Sequence, residues 1–436
     1  MRHGILGLLI LMAVSCGAAE IFVPADHATI LEAIRAATPG DTVTVAEGVY
    51  YESYLPLQDG LTLQGASGDP ADVQIDSQGS GPIVYYTEPT RDVVISRLTF
   101  LHGDSPGGGA LRIHSATDLT IADCIFLDNT AVHGGAVYLN VPVASSSLCT
   151  IRSCRFVGNS SDDEGGAISN TSNTNLVVQG CVFEGNHAGG QGGAISNTSN
   201  TSLVVQGCVF EGNHAGGQGG GVVNVGLATI TSSLFLDNEA EVAGGGVANV
   251  ETISWCDFQG NTADKGGACA YSETLSHCTF TGNTARQGGA VFRTRVVEHC
   301  VFADNTADEM GGALALAFDH VLDSVFQDNR SVLGGALIDT EQIDHCRFEG
   351  NVATQQGGAV YSRIANRDHT FTYCRFSGNS APIGSDGSLP FCSLLRLVCC
   401  SPSRLTWQAP TIELEDEGCA VSNEQMSFGG LKSIFR

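Results

Sequence analysis

The sequence predicts an all-β solenoid, a parallel β-helix of short stacked rungs, and three observations carry that prediction. Residues 165–191 and 192–218 are near copies, GGAISNTSNT-x-LVVQGCVFEGNHAGGQ, differing only at Asn175 against Ser202. A duplication of that fidelity is tolerable where a unit stacks on its own copy. Phe-x-x-Asn then recurs eleven times from Phe126 to Phe376, spaced 22 to 30 residues apart, and each of the first ten is followed by a Gly-Gly pair eight or nine residues later. Period-3.6 patterning is absent through this region, which excludes helical repeat arrays.

From the amino end, residues 1–19 read as an export signal. Arg2 and His3 give a basic start, Ile5 to Val14 an apolar stretch, and Gly17-Ala18-Ala19 a small-residue site with cleavage after Ala19. Val14-Ser15-Cys16-Gly17 loosely resembles a bacterial lipoprotein box, so a lipid on Cys16 is the competing reading. The apolar stretch is too short for a stable bilayer span, and no later segment resembles a transmembrane helix. The mature chain is expected to be extracytoplasmic.

A cap is expected over roughly residues 20–50. Thr29-Ile30-Leu31-Glu32 is a capping box, Ile30, Ala33, Ile34 and Ala37 form one apolar stripe, and Pro39-Gly40 stops the helix. Thr42 to Ala46 alternates as a strand. A short helix here covers the open end of a solenoid and blocks edge-to-edge association.

The rungs follow, over about 100–387, with Phe100 and Gly108-Gly109-Ala110 as a degenerate first copy. Two residues before the Phe stands Cys in nine of the eleven copies, Ser233 and Ser324 being the exceptions. Period-two geometry puts Cys and Phe on one strand face. Five residues before the Phe the residue is always apolar (Ile121, Val178, Ile253, Val297, Ile343), and this odd separation demands a bend between the two inward positions. Asn always follows Gly or Asp, and both Asn and Gly tolerate the left-handed backbone that a tight corner needs. Stacked rungs would align the Asn side chains into an amide ladder, and Gly-Gly marks a further corner where a side chain would meet the next rung. After Ser380 the repeat decays, and 388–436 is read as an irregular tail.

Bulk numbers agree with an exported fold. The chain has 436 residues, 55 of them Gly, with 42% apolar residues and a formal net charge of −26. That charge disfavours direct binding of nucleic acid or another polyanion. The 16 Cys would ordinarily suggest disulfides in an exported protein. One Cys per rung, with parallel side chains at the ~4.8 Å strand spacing, instead favours a ladder of buried free thiols, because a disulfide needs a closer Cβ approach of ~3.8 Å. Cys392, Cys399, Cys400 and Cys419 lie beyond the rungs and are free to pair among themselves. Without CxxC pairs, a zinc site is not expected.

The opening VPADHATILEAIRAATPGDTVTVAEGVYYES is similar to the amino-terminal cap of bacterial pectin-lyase-like β-helix proteins, and the coupled Phe-x-x-Asn and Gly-Gly-Ala units resemble the repeats of chlamydial polymorphic outer-membrane proteins. Together these cover roughly residues 20–387. The resemblance implies a single-stranded right-handed parallel β-helix with an N-terminal capping helix and, for the second family, a cell-surface passenger involved in adhesion. Autotransporters of that family end in a membrane barrel, which the residues after the last rung are too few to make.

One row of chemically capable residues stands out. Immediately before the ladder position, Cys or at one rung Ser324, come His277, His299, Asp323 and His345, on consecutive rungs of the outer face. Aligned imidazoles and a carboxylate suit a transition metal or acid–base work. Other copies carry Asp123, Ser153, Gly180, Trp255 and Tyr373 there, and the reading preferred is a solvent-facing polar column without catalytic, cofactor-binding or metal residues. Arg293 and Arg295 share a rung with no acidic cluster tied to them by spacing. The acidic corners Asp162-Asp163-Glu164 and Asp308-Glu309 read as solvated charge, with weak Ca²⁺ binding as the alternative. The expected function is therefore a secreted or cell-surface, non-enzymatic and monomeric β-helix acting in adhesion or structure, with an extracellular or host-surface glycan or protein as partner and no nucleic acid. The alternative is a polysaccharide-binding or polysaccharide-degrading β-helix.

Overall fold

A computed structural model describes residues 18–87, 92–114, 118–140, 147–199, 201–365, 368–389, 394–398, 400–402, 407–409 and 412–415. Most of residues 1–19, the segment read as an export signal, lies outside them, Cys16 included. The chain winds into a right-handed parallel β-solenoid of about 14 turns. Among the described residues the strands form three sheets of 29, 15 and 11 members, here sheets A, B and C. One rung illustrates the path. Leu119–Ala122 lies in sheet A, Ile125–Leu127 in sheet B, Thr130–His133 in sheet C, and Val137–Leu139 returns to sheet A.

The amino end is closed as expected. Helix α1 (Ile30–Ala36) starts at Thr29, whose hydroxyl accepts from Glu32 N–H, and buries Ile30, Ala33 and Ile34. A second cap comes from Glu52, whose carboxylate accepts from the Ile30 and Leu31 N–H groups at 2.8 and 2.9 Å. Carboxylates are favoured there by the unpaired N–H groups of a first helical turn. The strand Glu20–Val23 pairs in register with Thr42–Val45, so the coil begins well before the first Phe-x-x-Asn unit.

Inside the coil the repeated residues form ladders. Twelve Phe rings from Phe100 to Phe376 stack with centroids 4.6–5.3 Å apart. From Asn129 to Asn379 each Asn Nδ2 donates to the Oδ1 of the next Asn at 2.9–3.0 Å. A second, shorter ladder, Asn170–Asn197–Asn224, runs at 2.7 Å through the duplicated segment.

Three corners per rung adopt left-handed backbone, and one differs in detail from the sequence reading. The corner beside the Asn ladder is turned by the residue before it, such as Asp128, Gly260 or Asp304, while Asn itself points inward. The bend demanded between the apolar position and Cys falls on the residue just before Cys. The first Gly of each pair turns the third corner, as at Gly288 (φ +64°). The second Gly is required by contact, since a Cβ on Gly289 would lie 2.0 Å from the Gly312 carbonyl oxygen of the next rung.

The cysteines behave as a thiol ladder. Cys124, Cys154, Cys181, Cys208, Cys256, Cys278, Cys300, Cys346 and Cys374 are free and buried. Cys154 Sγ, for example, donates to the Arg152 carbonyl at 3.2 Å and accepts from Cys124 N–H at 3.4 Å. Burial pushes the Cys149 thiol up to about 12, and a hydrogen bond to Cys154 together with burial does the same for Cys181. A thiol whose folded pKa exceeds its unfolded value of 9.0 stabilises the fold below pH 9 and loses that contribution as the pH climbs towards 12. The melting temperature is therefore expected to hold up to about pH 9 and fall above it, with iodoacetamide labelling of these thiols appearing only as circular dichroism is lost. Labelling of these ladder thiols, located by peptide mapping, in the native protein at pH 8 would contradict the buried ladder.

The coil also extends past the boundary at 387 set by the repeat. Gly387–Ser388, Leu394–Val398, Ser401–Pro402, Trp407–Gln408 and Ile412–Glu415 continue the parallel pairing, so this part of the tail is not irregular. The Phe and Asn signature is lost there, while the parallel strand pairing persists. Cys400 is a free thiol that bonds the Phe371 carbonyl at 3.4 Å, extending the ladder instead of forming a disulfide. Cys392, Cys399 and Cys419 lie outside the described residues.

A second apolar cluster sits on the outside of the coil. Phe292, Ala315, Ile338 and Tyr361 point outward from sheet A yet are buried, packed by Tyr271, Met310, Leu316 and Leu333. Strict inward–outward alternation would have exposed this column. Side chains at the end of sheet C fold over it because the Gly-Gly corner brings the two sheets close.

Candidate functional site

The row read from sequence is brought together by the register of sheet A. Ser254, Ser276, Glu298, Leu322, Asp344 and Thr372 pair strand to strand. The residue following each is the left-handed corner: Trp255, His277, His299, Asp323, His345 and Tyr373, with φ between 46° and 56°. Left-handed backbone throws these side chains outward at the rung spacing. The result is an exposed ridge. Trp255 and His277 stack at 4.2 Å, His277 and His299 lie 4.8 Å apart, and His345 stacks on Tyr373 at 4.8 Å. His299 Nδ1 sits 3.9 Å from Asp323 Oδ2. Trp255 and Tyr373, which in sequence look like evidence for an unselected column, terminate the ridge and are about half exposed.

The ridge is linear, which limits its chemistry. A metal needs three or more ligands converging on one point, and no such group of His, Cys, Asp or Glu exists among the described residues. What a line of flat rings offers is stacking and one-sided hydrogen bonding.

Beside the ridge runs a charged column that sequence spacing missed. Arg295 Nε lies 3.0 Å from Glu273 Oε2, and its Nη1 lies 2.6 Å from Asp319 Oδ2. These partners lie 22 and 24 residues away, one rung on either side, so the acidic tie to Arg295 does exist. Repeat register is the signal that finds it. His320 Nε2 and Asp344 Oδ2 lie 2.6 Å apart across the next gap. Exposed pairs of this kind add little to stability because solvent screens them, so they are better understood as patterning a surface than as holding the coil together. The surface is broad because Cys269–Ser276, Val291–Glu298 and Leu314–Leu322 run through without the loop that interrupts sheet A in other rungs.

A separate cluster lies nearer the amino end. Arg112 Nε donates to His114 Nε2 at 2.9 Å, and His114 Nδ1 meets the Asn140 carbonyl at 3.0 Å, which fixes His114 as the neutral Nδ1–H tautomer. Tyr138 stacks on His133 at 5.6 Å, and His133 Nδ1 is 3.6 Å from Asp163 Oδ2. Gly107 makes room for it, since a Cβ there would meet the Tyr138 ring at 2.5 Å. Of the acidic corners, Asp163 thus faces an imidazole, and Glu309 pairs with Arg286 at 2.9 Å.

Comparisons with known proteins agree with this architecture. Residues 59–250 match the family described as right-handed beta helix region, and residues 277–292 and 345–363 match the Chlamydia polymorphic membrane protein repeat. No curated protein matches the chain. Among solved structures it is similar to a mannuronic acid specific polysaccharide family 6 lyase from human gut microbiota, at 13% identity over 91% of each chain with a TM-score of 0.43. It is also similar to a tailspike protein double mutant of E. coli bacteriophage HK620, at 11% identity over 86% of this chain and 72% of that one with a TM-score of 0.39. At that level neither neighbour's activity transfers to this chain. No helix among the described residues is long and apolar enough to cross a membrane. The chain is a right-handed parallel β-helix protein, and its coil carries segments that match the Chlamydia polymorphic membrane protein repeat.

Proposed function

We propose that the protein is an exported, surface-located and non-enzymatic β-helix that makes adhesive contacts through the ridge from Trp255 to Tyr373. The observation that carries this reading is the ridge itself, stacked aromatic side chains held outward by left-handed corners on consecutive rungs. Aromatic rings offer large, rigid contact area at low entropic cost, which is why they dominate recognition surfaces. The two segments matching the Chlamydia repeat contribute His277 and His345 to it, and that repeat points to a surface protein. The partner in this reading is a glycan or protein of an extracellular or host surface. Export through residues 1–19, by cleavage after Ala19 or by a lipid on Cys16, belongs to the same proposal, and cell fractionation separates the two forms.

Beads coated with the full protein are expected to bind target cells. The double variant Trp255→Ala/Tyr373→Ala is expected to lower bead binding at least fivefold while leaving the circular dichroism spectrum unchanged. Equal binding by the variant sinks the ridge as the contact surface. Defined oligosaccharides released from a panel of uronate and neutral glycans, with or without Ca²⁺, would instead favour the polysaccharide-degrading alternative.

A further inference from the structure

Where the looped rungs give way to the straight ones, sheet A contains a step, and the step holds an open pocket of about 430 Å³. The loops around Leu227 and Glu251 form its wall, and Tyr271, Glu273 and Arg295 on the straight strands form its floor. The volume falls within the ~300–1,000 Å³ usual for small-ligand sites. It shares no residue with the ridge.

Charge and shape in this pocket select one kind of occupant. Glu273 is neutralised in part by Arg295, which is itself shared with Asp319. Glu251 lines the pocket, is exposed and makes no ion pair or side-chain hydrogen bond among the described residues, so its charge is uncompensated there. Thr274 N–H bonds the Glu251 carbonyl at 2.9 Å, which places Glu251 and Glu273 on directly adjacent rungs. Two neighbouring carboxylates with one shared guanidinium leave an excess of negative charge. Leu227 adds an apolar wall that is 65% exposed. An apolar wall leading to an uncompensated carboxylate matches a long aliphatic stem ending in a cation. The net charge of −26 steers such a ligand inward from a distance and repels anions.

We infer that this pocket receives a lysine or arginine side chain of a partner protein, with the stem against Leu227 and the cationic head between Glu251 and Glu273. The arrangement makes the surface selective for basic segments. It goes beyond the ridge, and the two fail independently: a ridge that contacts nothing leaves the pocket intact.

The test is calorimetric titration of the full protein with hexalysine, using Glu251→Gln and, as a control of equal charge change in a distant corner, Asp162→Asn. Hexalysine is expected to bind the wild type with an affinity that falls as salt rises. Glu251→Gln is expected to weaken it at least fivefold and Asp162→Asn less than twofold. Equal weakening by both variants overturns the pocket, because only diffuse charge is then at work. Wild-type binding of neutral oligosaccharides in place of hexalysine overturns the choice of ligand. Glu251 lies in an exposed loop, so its substitution leaves the fold as a constant, checked by circular dichroism.

Discussion

Replacing Gly289 with Ala is expected to cost about 3 kcal/mol or more, placing it at the severe end of core overpacking. The new Cβ would lie 2.0 Å from the Gly312 carbonyl oxygen and 2.6 Å from that of Thr306. Both obstacles are backbone, so no side-chain rotation relieves the clash. The rungs would have to part, at the expense of their parallel hydrogen bonds. Gly282 is the internal control. It is left-handed (φ +64°), but its added Cβ meets nothing within 4 Å. Gly282→Ala should therefore cost only the left-handed strain of about 1–2 kcal/mol. Urea unfolding followed by circular dichroism measures both. Because each rung contacts only its neighbours, Gly289→Ala should also broaden or split the transition. Equal losses for the two variants would mean that close approach of the rungs is not what requires the second glycine.

Asn283→Asp is expected to be comparably damaging, although it changes almost no volume. Asn283 is fully buried. Its Oδ1 accepts from Asn261 N–H and Nδ2 at 3.0 Å, and its Nδ2 donates to the Phe258 carbonyl and Asn305 Oδ1, also at 3.0 Å. All four bonds use an amide that both donates and accepts. A carboxylate only accepts, so the oxygen in place of Nδ2 would face two acceptors, the Phe258 carbonyl and Asn305 Oδ1, while the group carries an unpaired buried charge. The loss at pH 7 is expected to be about 3–5 kcal/mol. Its sign with pH is fixed. Burial without a cationic partner raises the folded pKa of the new acid above its unfolded value, so the penalty shrinks as the pH falls and the protonated acid regains one donor. A variant as stable as the wild type at pH 7 would show that the ladder is ornamental.

Much of the fold could be read directly because a solenoid writes its contacts into a period. Each residue's neighbours along the coil are its own counterparts one repeat away, so a self-alignment is close to a contact map. The Phe stack, the amide ladder and the buried free thiols were all legible that way, and so was the row at His277, His299, Asp323 and His345. Trp255 and Tyr373 were visible as members of the same column, but their stacking on His277 and His345 was not, because column membership says nothing about ring orientation.

The sequence by itself determined the parallel coil, its rung length, its inward residues and its helical cap, since each depends on local spacing and on identical units stacking. Only the tertiary structure decided which corner residues turn left-handed, because Asn and its preceding Gly or Asp are both capable of it and the buried ladder claims the Asn. It alone revealed the outer cluster around Phe292 and Ile338, which forms by folding one sheet's end over another and has no period of its own. It alone tied Arg295 to Glu273 and Asp319 and opened the pocket at Leu227 and Glu251. Those features depend on loop lengths that differ from rung to rung, and it is in these departures from the repeat that the surface acquires chemistry.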